Sequence, residues 1–130
     1  MKINRKDSRD AVKTIINIVN GITGSRLTTR EINIFTEFLL LKPNTEHTRY
    51  SPKSKKKVMK ICKELYDYDL NQKNISPTII KLNKTKFIYK EEDSIVYTNK
   101  GIRNLVQKLL DNNNLELKIE IKIVDGNISV

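Results

Sequence analysis

Apolar residues recur at spacings of three and four through most of the chain, and give way to strict alternation near its end. Ala11, Val12, Ile15, Ile16, Val19 and Ile22 share one face of a helix predicted over residues 8–22, which Gly21 and Gly24 bring to a close. Thr28 followed by Glu31 is the signature of a capping box, in which a hydroxyl and a carboxylate satisfy each other's backbone donors. Leu27 and Ile32 take the two staple positions around it. The dense run Ile34, Phe35, Phe38, Leu39 and Leu41 then predicts a central core helix, stopped by Lys42-Pro43.

Residues 42–50 read as a polar loop. Ser51-Pro52 opens a third helix, with serine as cap and proline at the first helical position, where its missing N–H costs nothing. Its apolar stripe is Val58, Ile61, Cys62 and Leu65. A Tyr-Asp-Tyr-Asp turn at 66–69 leads to a fourth helix over about 71–86, with Ile75, Ile79 and Leu82 facing inward. Two β-prone runs, 87–89 and 95–97, flank a polar turn and predict a hairpin. A fifth helix over about 100–110 buries Ile102, Leu105, Val106, Leu109 and Leu110. Residues 115–123 alternate apolar and polar as a half-buried strand does, and Asp125-Gly126 marks a tight turn back through Ile128 and Val130. This tail either closes the protein's own wing sheet or adds to a neighbour's; closure is favoured because unprotected edges are normally avoided.

The expected fold is mostly α with a small β-sheet (α+β), one domain of 130 residues. Its layout is a winged helix-turn-helix with core 27–110, an N-terminal helix at 8–22 and a C-terminal β extension, strand or hairpin, at 115–130.

Charge narrows the choice of partners. The net charge of +10 favours a polyanion, and nucleic acid is the commonest one. The third helix concentrates it: Lys53, Lys55, Lys56, Lys57, Lys60 and Lys63 lie away from the apolar stripe, with no acidic residue between His47 and Lys63. A solvated helix face normally mixes signs, so this one points to phosphate. Abundant Ile, Lys and Asn suggest an A/T-rich source such as a phage, plasmid or low-GC bacterium.

The helix, helix, turn, helix, hairpin, helix order resembles the winged-helix transcription factors of the multiple-antibiotic-resistance regulator (MarR) type. The residues carrying the resemblance are Leu27-Thr28-Thr29-Arg30-Glu31, Leu70-Asn71-Gln72-Lys73-Asn74-Ile75-Ser76, the apolar frame Ile79, Leu82, Phe87 and Ile88, and Tyr97-Thr98-Asn99-Lys100-Gly101. It implies double-stranded DNA as partner, with a recognition helix in the major groove and the hairpin on the backbone or minor groove. On that basis Asn71, Gln72, Lys73, Asn74, Ser76, Thr78 and Lys81 face the bases. Lys53, Lys55, Lys56, Lys57, Lys60, Lys84 and Lys90 hold the DNA backbone. The chain departs from the family in four ways. Pro77 falls inside the recognition helix, so that either the helix begins at Ser76 or its first turn is irregular. Lys86 stands where glycine is usual, the wing tip is acidic without an arginine, and the long dimerising terminal helices are missing. Ligand response and dimer geometry are therefore not carried over.

Catalysis is not expected. There is no Gly-rich phosphate loop, no Cys/His metal spacing and no nucleophile elbow. His47 lies in a polar loop, Glu91, Glu92 and Asp93 read as a solvated turn, Cys62 lies on an apolar stripe, and the tyrosines are too dispersed for base stacking. Neither a metal nor a cofactor is expected. Apolar runs fall short of the roughly 18 residues a membrane span needs, no secretory signal precedes the first helix, and one cysteine forms no internal disulfide. The expected location is the cytoplasm (that of a host if phage-encoded) or a virion. The function read from these features is a non-enzymatic DNA-binding regulator or replication-type initiator of a phage or mobile element. The alternative is a virion or packaging component that uses the winged helix as a structural adaptor, with assembly through 115–130.

Overall fold

A computed structural model describes residues 8–42, 46–111, 122–124 and 127–129 of the chain. Among these residues there are five α-helices, α1 Ser8–Thr23, α2 Thr29–Leu40, α3 Pro52–Tyr66, α4 Gln72–Lys84 and α5 Lys100–Asp111, and a short 3-10 helix at Glu46–Thr48. Strands β1 Ile88–Lys90 and β2 Val96–Thr98 form an antiparallel hairpin between α4 and α5. A second hairpin, β3 Lys122–Val124 and β4 Asn127–Ser129, follows α5. The fold is α+β, mostly helical, as expected.

Local chemistry sets the element boundaries. Thr28 and Glu31 complete the capping box, with Glu31 N donating to Thr28 Oγ1 at 3.2 Å and Thr28 N donating to Glu31 Oε1 at 2.8 Å. Ser51 caps α3 with Pro52 at its first position. Asn99 caps α5, its Oδ1 accepting from Gly101 N and Ile102 N. α4 ends in a Schellman motif: Phe87 N donates to Leu82 O at 2.9 Å and Lys86 N to Asn83 O at 3.2 Å. Lys86 sits at φ 67°, the left-handed region that favours glycine. The turn thus makes a real backbone demand, which the lysine satisfies at some cost.

α2 is the middle of the core. Ile32, Ile34, Phe35, Phe38 and Leu39 are all buried, and α1 and α3 pack on it while α5 packs on α1. Phe35 meets Phe87 edge-on at 5.8 Å, and Phe38 lies 5.1 Å from Tyr50. Two expected core positions stay outside: Ile22, in the last turn of α1, is 52% exposed, and Leu65, near the end of α3, is 48% exposed. Both lie at helix ends, past the neighbours that cover the middles.

Two further expectations need correction. α4 begins at Gln72 and carries Pro77 as its sixth residue, so it does not start at Ser76. Proline leaves the Lys73 carbonyl without its i+4 donor, a loss that falls on an exposed side open to water. Closure of the wing sheet by the tail is not what the described residues do: among them β1 pairs with β2 and β3 with β4, and β4 lies against α5. The Asp125-Gly126 turn and most of the alternating segment 115–123 lie outside the described residues. No helix among the described residues is long and apolar enough to cross a membrane.

Candidate nucleic-acid interface

α4 is amphipathic about a line through Ile75, Thr78 and Leu82, all buried. At about 100° per residue, the opposite side carries Lys73, Pro77, Ile80 and Lys84, each exposed. Thr78 therefore stands on the inward side, three residues after Ile75 and four before Leu82. The resemblance had placed it against the bases.

Most of the other polar residues at the start of α4 shape the helix itself. Asn71 is its N-cap and accepts from Asn74 N at 3.1 Å. Asn74 Nδ2 donates to Asp69 O at 2.9 Å, and Ser76 Oγ donates to Gln72 O at 2.8 Å. Asn71, Gln72, Lys73 and Asn74 are all exposed at this end of the helix. Lys81 is turned toward α2, where its Nζ lies 2.8 Å from both Glu31 Oε1 and Arg26 O. Burial pushes the Glu31 carboxyl up, but Lys81 and the capping bonds from Thr28 outweigh it and hold it below its ordinary value.

Those contacts tie the last turn of α4 to the start of α2. Arg26, exposed and with its carbonyl held by Lys81, lies beside α4, a neighbour that sequence spacing did not reveal. Arg30 stands 4.8 Å over the Tyr68 ring, while Asn33 Nδ2 donates to the Tyr68 hydroxyl at 3.0 Å. The turn between α3 and α4 is thereby tied to α2 as well.

On α3, Ser54, Val58 and Cys62 face the core. Lys53, Lys56, Lys57 and Lys60 are exposed, and Lys55 is half-buried on a different flank. Lys53, Lys56 and Lys60 form one stripe at spacings of three and four, opposite Val58. Lys63 continues the stripe but is paired with Asp67 at 2.9 Å. Burial pushes the Cys62 thiol up to about 11, so it is a packing residue rather than a reactive one.

The hairpin is anchored at its base and acidic at its tip. The Tyr50 hydroxyl shares a 2.7 Å hydrogen bond with Thr98 Oγ1, and Thr98 N donates to Glu46 Oε1 at 3.1 Å. Ser94 takes φ 65°, closing the loop through Glu91 N to Ile95 O at 3.0 Å. Lys90 is exposed, but Glu91, Glu92 and Asp93 follow it at the tip. Those carboxylates oppose approach to phosphate. Among the described residues, no group of three His, Cys, Asp or Glu stands close enough to hold a metal ion. No protein-family model, curated protein or solved structure matches this chain.

Proposed function

We propose that this chain is a non-enzymatic, winged-helix double-stranded-DNA-binding protein. In this reading α3 and α4 are the helix-turn-helix, α4 enters the major groove, and β1–β2 is a short wing whose acidic tip keeps clear of the backbone. The observation that carries it is the outward face of α4, which presents lysines at both ends, on a helix tied to the start of α2 through Lys81. The stripe Lys53, Lys56, Lys60 supplies the sequence-independent attraction. Helix order, the capping box at Thr28 and the left-handed Lys86 at a usual glycine position support kinship with MarR-type regulators in the DNA-binding half alone. The biological role that fits is a transcription regulator or replication-type initiator of a phage or mobile element, acting in the cytoplasm.

Selection of bound sequences from a random duplex pool at near-physiological salt tests this. Wild type should enrich a motif, and Lys53→Gln/Lys56→Gln/Lys60→Gln should keep that motif with weaker binding. Loss of three phosphate contacts should flatten the log–log salt slope by about 3. Salt-sensitive binding with no enriched motif would contradict the reading and favour the structural-adaptor alternative.

A further inference from the structure

Ile80 is the most exposed large apolar side chain among the described residues, at 65% against 52% for Ile22. A single apolar residue on a surface is ordinary. Ile80 differs in its setting. It lies in the middle of the outward face of α4, beside Pro77, with Lys73 and Lys84 beyond them on the same line. From Lys73 to Lys84 is eleven residues, about 16 Å along the axis, or about five base-pair steps. The face therefore has cations at its two ends and an apolar patch at its centre, where neither Pro77 nor Ile80 offers a hydrogen bond.

Resting on the DNA-binding reading above, we infer that Ile80, with Pro77 beside it, reads thymine methyl groups in the major groove. The thymine C5-methyl is the one apolar group that base edges present there. An isoleucine against it removes two apolar surfaces from water. Against a cytosine amine or a guanine oxygen the same side chain strips water from a polar group and returns no bond. The lysines at the two ends take phosphates or guanine edges, fixing which base steps lie under Ile80. The central positions of the bound site are then A·T pairs with thymine methyls toward α4, and its flanks carry the polar contacts.

The test uses the full chain and the duplex enriched from the random pool, with thymine replaced by uracil one position at a time. Uracil pairs as thymine does and lacks only the methyl. One or two central replacements should weaken wild type by about fourfold per methyl, the effect of one buried methylene. Ile80→Ala should bind the thymine duplex more weakly, and should no longer distinguish uracil from thymine at those positions. Its salt slope should match wild type, since no charge is lost. Because Ile80 is exposed, Ile80→Ala should melt as wild type does, which separates this effect from misfolding. An enriched motif whose affinity is indifferent to uracil at every position overturns the inference and leaves the DNA-binding reading standing. Absence of any enriched motif overturns both.

Discussion

Lys81 Nζ stands 2.8 Å from Glu31 Oε1, joining the last turn of α4 to the first turn of α2. The same carboxylate oxygen accepts from Thr28 N, so one group both caps α2 and positions α4. Glu31→Gln keeps an acceptor for the cap and removes the charge. Lys81→Met keeps the aliphatic stem and removes the ammonium. The pair is partly open to solvent, which limits its worth. Each single variant should lose about 1 kcal/mol in urea unfolding, with a coupling of about 0.5 kcal/mol in the double-variant cycle. Strictly additive losses would show that the two groups do not act together.

Acid should weaken the fold through two carboxylates. For Glu31 and Glu46, burial raises the carboxyl and is outweighed by the bonds made to it, from Lys81 and Thr28 in the first case and from Arg49 and Thr98 in the second. Both folded values lie below the ordinary one. The stability they contribute is present above the unfolded pKa of about 4.5 and is lost as pH falls through the folded values. The melting temperature should therefore drop below about pH 4.5, and Glu31→Gln/Glu46→Gln should flatten that drop. An equally steep acid limb in the double variant would place the effect in other groups.

Arg49 should be among the most sensitive polar positions. Its Nη1 donates to the carbonyls of Phe38, Leu39 and Leu41 at 2.7, 3.1 and 3.0 Å, closing the C-terminal end of α2. Its Nε meets Glu46 at 2.8 Å, and Glu46 in turn receives Thr98 N of the wing. Arg49→Ala leaves three carbonyls and a half-buried carboxylate without these partners, a loss of about 3 kcal/mol. Arg49→Lys should recover only part of it, since an ammonium lacks the planar fork. Chemical denaturation checks both, and a loss under 1 kcal/mol for the alanine variant would contradict this role.

Lys86→Gly should stabilise the protein. At φ 67° the lysine side chain crowds its own carbonyl, and glycine relieves that strain by about 1 kcal/mol. Lys86→Val should destabilise by a similar amount. A rise in melting temperature for glycine, with unchanged preference among duplexes, is the expected result.

The helices and the hairpin were legible because their signals are local: the Thr28–Glu31 box, Ser51-Pro52, and the spacing of Ile75 and Leu82 each act within two turns. What escaped was set by contacts far apart in sequence. Residues 42–50 read as a polar loop, yet Arg49 gathers carbonyls up to eleven residues away and Glu46 reaches Thr98. Lys81 fits a base-reading pattern until its distant partner Glu31 is known. Thr78 and Ile80 differ by two residues, about 200° around the helix. The spacing of Ile75 and Leu82 already sets Thr78 on the inward side, and choosing groove contacts by polarity took the buried threonine and passed over the exposed isoleucine. The tail hairpin was legible as a turn and an alternation, but its place against α5 was not.

The central claim is that α4 reads base sequence while the lysines of α3 supply attraction alone. Its most direct test is the ratio of affinities for the enriched duplex and a scrambled one, measured at one salt concentration. Wild type and Lys53→Gln/Lys56→Gln/Lys60→Gln should share a ratio of about a thousand or more, although the variant binds both duplexes more weakly. Lys73→Ala/Ile80→Ala should bring the ratio down by at least tenfold. A wild-type ratio near one, or a ratio untouched by changes on α4, would contradict the account.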